Sequence, residues 1–315
     1  GDNDALTKQW MPLVDTTADQ ETFEKYHDEP TRENVLHFLC FDEKNENAIV
    51  SCVAKARENA RTIREIISNV VWEQLNKFHL LVRSGAQSAE IMDQPQEFCE
   101  QVRLTSHLLV GAMDGTMSHD EAWHFARLGR SLERADKTSR LLDVQYYNLL
   151  PPFGGMAESL DVVKWSALLR SASALVSYRR TYGKIVPKRV AEFLILDPCF
   201  PRSMHFAVMR ARDSMRIITG SKVDTYCYPC EQLLGRLSSS LDFAEITDII
   251  ESGLHEYIDD FQIQLNAIGH EVHEDFCAFE NLDAPPAPLT GWGGVHPPST
   301  STAQSRFVCS VAALG

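Results

Sequence analysis

The chain has 315 residues, 44% of them apolar and 23% charged, with a formal net charge of −14. That is enough apolar material for a sizeable core and too much for a disordered chain. The acidic balance disfavours nucleic-acid phosphates and anionic membranes as partners, and no run approaches ~18 uncharged apolar residues, so no spanning helix is expected.

Apolar residues recur with a helical period along most of the chain. The spacing predicts helices over 17–28, 31–41, 46–66, 69–84, 97–112 and 119–149. It predicts a further series over 160–182, 188–196, 202–219, 226–240, 243–252 and 255–277. No run alternates with period two for long enough to argue a sheet. Short connections favour antiparallel neighbours in a bundle. Pro151-Pro152-Phe153-Gly154-Gly155 is the clearest interior breaker and reads as a linker. The stretch 282–315 is rich in Pro, Gly, Ser and Thr, has no period, and reads as a flexible tail.

Residues 10–64 reappear without a gap 155 residues later. Trp10 falls on Trp165, Val35 on Val190, Phe38 on Phe193, Asp42 on Asp197, Arg57 on Arg212 and Arg61 on Arg216. Phe23 against Tyr178 and Glu58 against Asp213 are conservative matches. The expected architecture is therefore all-α, an elongated helical bundle built from two tandem copies of one helical unit. The expected division is a first unit over 1–117, a second over 118–281, and the tail. A helix precedes the second copy and would lie before residue 1 in the first, so the first unit reads as N-terminally incomplete. Its uncovered apolar face would favour self-association.

The eight cysteines are scattered, mostly in apolar helical surroundings, and read as buried thiols in a reducing, cytoplasmic setting. Cys227-Tyr228-Pro229-Cys230 is a lone CxxC. With His270 and His273 it could form a two-Cys, two-His zinc site, although two residues between the histidines is short for one. Core or turn thiols are the simpler reading. Glu121-Ala122-Trp123-His124 has the ExxH spacing of di-iron bundles, but one copy is present where two are needed. No phosphate-binding glycine loop, HExxH or GxSxG occurs, and no metal or cofactor is expected.

The longest predicted helix opens with Ser118 and Glu121 at capping-box spacing. Phe125, Leu128, Leu132, Ala135, Ser139 and Leu142 then form a seam. Glu133–Lys137 and Asp136–Arg140 are favourable i,i+4 pairs. The polar faces read either as a solvated, salt-bridged surface or as a groove in which Arg130, Glu133 and Arg134 hold an ion-pair network or an anion. Arg57 and Arg61, with their repeats Arg212 and Arg216, are the further candidates for that network or site.

The stretch Leu128-Gly129-Arg130-Ser131-Leu132-Glu133-Arg134-Ala135-Asp136-Lys137 resembles the signature helix of the alpha-E family, an all-helical family named for a Glu-Arg motif. Phe38–Asp42 through Ala56–Arg61 to Trp72–Asn76, and Phe193–Asp197 through Phe200–Ser203, resemble two further blocks of that family. The resemblance spans about residues 5–276, and the family's usual first Glu-Arg helix is missing from it. It implies a bacterial, non-enzymatic helical partner or scaffold of an ATP-grasp-type peptide ligase or peptide-modification system. The alternative is a subunit with its own carboxylate or phosphate site lined by Arg and Glu. The family carries no established catalytic residues.

Overall fold

The computed structural model describes residues 10–88, 90–149, 158–222 and 225–276. Fifteen helices and no strand occur among the described residues. In the first part these are α1 (Met11–Asp15), α2 (Gln20–Tyr26), α3 (Arg32–Cys40), α4 (Ile49–Thr62), α5 (Asn69–Gly85), α6 (Glu90–Asp93) and α7 (Pro95–Thr116). The long α8 (Glu121–Leu149) follows. Then come α9 (Glu158–Ser171), α10 (Leu175–Tyr182), α11 (Pro187–Leu196), α12 (Met204–Thr219), α13 (Pro229–Asp242), α14 (Ile246–Ser252) and α15 (Leu254–Phe276). None of the described helices is long and apolar enough to cross a membrane. The linker 151–155 and the tail 282–315 lie outside the described residues.

Local chemistry sets many of these boundaries. Thr31, Ser68 and Ser203 cap α3, α5 and α12 by accepting from the amides of Asn34, Val71 and Phe206 at 3.0–3.2 Å. Each such cap stabilises by ~1 kcal/mol. Pro95, Pro187 and Pro229 start α7, α11 and α13, where a missing amide proton costs nothing. The expected capping box at Ser118 is not formed in that way. Helix α8 begins at Glu121, whose Oε1 is buried without a hydrogen-bond partner.

The chain divides into two compact units between Arg130 and Ser131, inside α8 rather than at its start. In the first unit, Val14, Phe23, Val35 and Phe38 form one apolar cluster. A larger one runs from Cys40 through α4, α5 and α7 to Trp123 and Ala126. In the second unit α13 packs on both α12 and α15. Helix α15 turns Leu254, Ile258, Phe261, Leu265, Ile268, Val272 and Phe276 inward at 3–4 spacing.

The offset of 155 residues extends to geometry within each unit. Among the described residues two non-glycine backbones are left-handed, Ala18 (φ 58°) and Ser173 (φ 52°). Asp42 accepts the amide of Lys44 at 2.9 Å, and Asp197 that of Cys199 at 2.8 Å. Phe23, His27 and Phe38 form a three-ring cluster, with Phe23 edge-on to Phe38 at 5.1 Å. Tyr178, Tyr182 and Phe193 form another, with Tyr178 edge-on to Phe193 at 5.7 Å. These paired features are what the sequence offset leads one to look for at matching positions. The match weakens at its start. Leu13 is 42% exposed, whereas Leu168 is 1% exposed.

Candidate anion-binding site

The candidate residues fall in different surroundings. Arg57 donates from Nε to Asn76 Oδ1 at 2.7 Å and lies over the Trp72 ring. Arg61 pairs with Glu58, one turn back on the exposed face of α4. Arg130 is mostly buried and lies 3.9 Å from Asp114. Burial pulls its guanidinium below the usual range, and the Asp114 carboxylate opposes this.

Glu133 and Lys137 pair at 3.1 Å, and Asp136 and Arg140 at 2.8 Å, as their spacing predicts. The ion pair of Glu133 thus runs along its own helix, with both side chains partly in water. Burial lowers the Lys137 amine, but the Glu133 and Asp136 carboxylates outweigh it and hold the group above its ordinary value. Arg134 is half-buried on the same helix. A partly exposed i,i+4 pair contributes little, so Glu133→Ala is expected to change stability by no more than ~0.5 kcal/mol in a urea melt. A loss of several kcal/mol would show that Glu133 is held by something beyond Lys137.

The weak zinc set does not assemble. Cys230 is buried with Sγ 3.9 Å from Met215 Sδ, and its amide donates to Asp275 at 3.1 Å. Burial and the Asp275 carboxylate hold its thiol far above the usual range. Cys227 is exposed, and His270 and His273 occupy the polar face of α15, away from its seam. His270 lies 3.9 Å from Glu274. Among the described residues the three ligand-type side chains that do converge are Asp143, His255 and Asp259, within 4.8 Å. His255 Nδ1 is 2.7 Å from Asp143 there, and that hydrogen bond raises the imidazole's pKa. The reading of the cysteines as buried thiols holds for Cys40, Cys52 and Cys230. It fails for the exposed Cys99, Cys199 and Cys227.

Two candidates do meet, in the second unit. Arg212 and Arg216 lie one turn apart on α12 and line a small, partly open pocket with Met215, Thr225, Tyr226, Glu231 and Leu234. Arg212 is anchored from behind. Its Nη1 donates to Ser238 Oγ at 2.8 Å and lies 3.5 Å from Asp242. Asp242 also takes His205 Nε2 at 2.8 Å, and His205 Nδ1 lies 3.1 Å from the Leu196 carbonyl. This leaves Arg212 Nε buried with its proton unused.

Arg216 makes no hydrogen bond or ion pair among the described residues. Its counterpart in the first unit, Arg61, is neutralised by Glu58. The residue at that place in the second unit is Asp213. Its side chain is one methylene shorter, and it forms no pair with Arg216.

The far wall is built by Glu231, 4% exposed. Its Oε2 accepts the amides of Cys227 at 2.6 Å and Tyr228 at 3.1 Å, and its Oε1 accepts the Thr219 hydroxyl at 2.6 Å. It thereby fixes the turn that carries Thr225 and Tyr226. The Tyr226 ring lies against Gly235, where a Cβ would come within 2.8 Å of it. The two guanidinium groups and the Tyr226 hydroxyl thus line one small space, in which the Glu231 carboxylate is taken up by its own three donors. The guanidinium groups suit a carboxylate or a phosphate. The pocket is small and opens to solvent, with room for no more than one small charged group at its mouth.

Among the described residues these features define an all-helical protein with an arginine-lined pocket in its second unit and a long helix, α8, that carries a Glu-Arg pair. The chain belongs to the Alpha-E family, described as a predicted alpha-helical domain with a conserved ER motif, which it matches over residues 2–277. It is similar to uncharacterised proteins of Mycobacterium bovis and of two strains of Mycobacterium tuberculosis, each 24% identical over 192 residues. The alignment covers 60% of this chain and 21% of each relative, so the chain spans about a fifth of their length. No solved structure matches the chain.

Proposed function

We propose that the chain is a non-enzymatic helical binding protein of an ATP-grasp-type peptide-ligation or peptide-modification system. Its second unit would take a carboxylate or phosphate group through Arg216 and Arg212. The partnership rests on family membership and on the association that the family resemblance implies. A bacterial, cytoplasmic setting belongs to the same proposal. The binding role rests on one observation: Arg216 faces a pocket without an ion-pair partner among the described residues. An arginine fork there meets an anion bidentately, and a local cation is what a chain of net charge −14 needs to attract one.

Titration calorimetry with inorganic phosphate, and with a short peptide carrying a free or an amidated C-terminus, tests the pocket. Arg216→Ala is expected to weaken anion binding ~10–100-fold, the worth of a charged hydrogen-bond pair. Asp213→Glu is expected to weaken it as well, because it restores the carboxylate reach that neutralises Arg61 in the first unit. Equal affinity in wild type and both variants would overturn the site. Co-purification with an ATP-grasp protein tests the partnership separately.

A further inference from the structure

Helices α8 and α15 bring a histidine and two carboxylates together, away from the arginine pocket. Asp143 lies on the part of α8 that belongs to the second unit, and His255 and Asp259 lie one turn apart near the start of α15. One ligand-type atom from each falls within 4.8 Å of the others. Sequence spacing hides the group, because 112 residues separate Asp143 from His255.

The distances give the three side chains an order. His255 Nδ1 donates to Asp143 Oδ1 at 2.7 Å, since an ionised carboxylate can only accept. In the neutral imidazole the lone pair then sits on Nε2. Nε2 faces Asp259 Oδ2 at 3.5 Å. Two donors that share a tetrahedral ion, each ~2.0–2.1 Å from it, stand about 3.4 Å apart. A carboxylate on one ring nitrogen and a ligand gap at the other is how a metal-binding histidine is held in one tautomer. The charge balance points the same way. Among the described residues the ion pairs of both carboxylates run to His255 alone, so a neutral imidazole leaves two negative charges for a cation to meet.

We propose that His255 Nε2 and Asp259 bind a divalent transition-metal ion such as Zn2+, with Asp143 as the positioning carboxylate behind the imidazole. A mixed nitrogen and oxygen set suits such an ion, whereas calcium and magnesium take oxygen ligands. His255 and Asp259 are partly open to solvent, so water completes the coordination and the ion exchanges freely. Through the Asp143–His255 bond the ion would tie α15 to α8 and stabilise the second unit as it fills the site. His270 and Glu274 have the same i,i+4 spacing on α15 at 3.9 Å, but they belong to no such three-residue group. They serve as the comparison.

Calorimetric titration of the full chain with zinc chloride tests the site. His255→Ala and Asp259→Asn are each expected to weaken one equivalent of zinc uptake ~10-fold or more. Asp143→Asn keeps both donors, so it should retain the stoichiometry and lose about 10-fold in affinity. The His270→Ala isotherm is expected to match the parent's. Cobalt chloride reports the donors, and its visible bands should appear without the thiolate charge-transfer band that the exposed Cys99, Cys199 or Cys227 would add. The altered side chains at 255 and 259 are partly exposed, so both variants are expected to fold, which circular dichroism checks. Zinc uptake unchanged in His255→Ala and Asp259→Asn, uptake lost instead in His270→Ala, or a cobalt thiolate band that His255→Ala leaves as it was, would overturn the site.

Discussion

Glu231→Ala is expected to cost about 3 kcal/mol or more and to abolish anion binding. The carboxylate is 4% exposed and takes three donors, the Thr219 hydroxyl and the amides of Cys227 and Tyr228. Hydrogen bonds to a charged acceptor are worth ~1.5–3 kcal/mol each, and an abandoned buried donor costs ~1–3 kcal/mol. Part of that is recovered, because the turn before α13 can open to water. The opening carries the functional consequence. Thr225 and Tyr226 sit on the turn that Glu231 holds, so the pocket loses a wall as the fold loses stability. Urea melts give the first quantity and phosphate titration below the transition the second. Glu231→Gln keeps an acceptor oxygen but brings an amide against existing donors, so it should fall between alanine and the parent. Parent-like melts for both variants would mean that the turn is held by the α13 helix start alone.

How much of this was legible in the sequence depends on how local its cause is. The helical periods were legible because each apolar stripe is written in its own segment, as in α15. The break between α9 and α10 was not, and 160–182 read as one helix. Ser173 turns left-handed there without a glycine or proline to announce it, as Ala18 does in the first unit. The energy that holds a side-chain-bearing residue in that region comes from the surrounding packing. The capping box at Ser118 was a spacing without the geometry to use it. Prolines marked helix starts more accurately than periodicity did. Helix α13 begins at Pro229, whereas its apolar pattern extends back to Tyr226, which belongs to the pocket.

The same division holds for the site. Arg212 and Arg216 were legible because the repeat retains both arginines. Glu231, Thr225 and Tyr226 were not, since a turn and the facing helix bring them in. Read as sequence, Asp213 for Glu58 is a conservative match. In three dimensions the missing methylene separates a neutralised Arg61 from an Arg216 without an ion pair among the described residues. The 155-residue offset in the sequence thus points to Arg212 and Arg216, and the shorter acid at 213 distinguishes their surroundings from those of Arg57 and Arg61.

The tryptophans that head the two copies test the same idea through stability. Trp165 is 4% exposed on α9, beside Leu168 and Leu169, which are also buried. Trp10 is only partly buried, packing on the edge of the cluster of Val14, Phe23, Val35 and Phe38, and Leu13 beside it stands in solvent. Removing a buried indole costs ~3–5 kcal/mol, the lost transfer energy plus the cavity that remains. Trp165→Ala is therefore expected to lose ~3–5 kcal/mol, whereas Trp10→Ala should lose less, since part of its side chain already meets water. Urea melts of the two variants make the comparison. Equal and large losses would mean that Trp10 is covered in solution, by a second copy or by chain outside the described residues. That outcome should then depend on protein concentration only in the first case. A Trp165→Ala protein that melts like its parent would remove the indole from the core of the second unit and, with it, the correspondence at the head of the two copies.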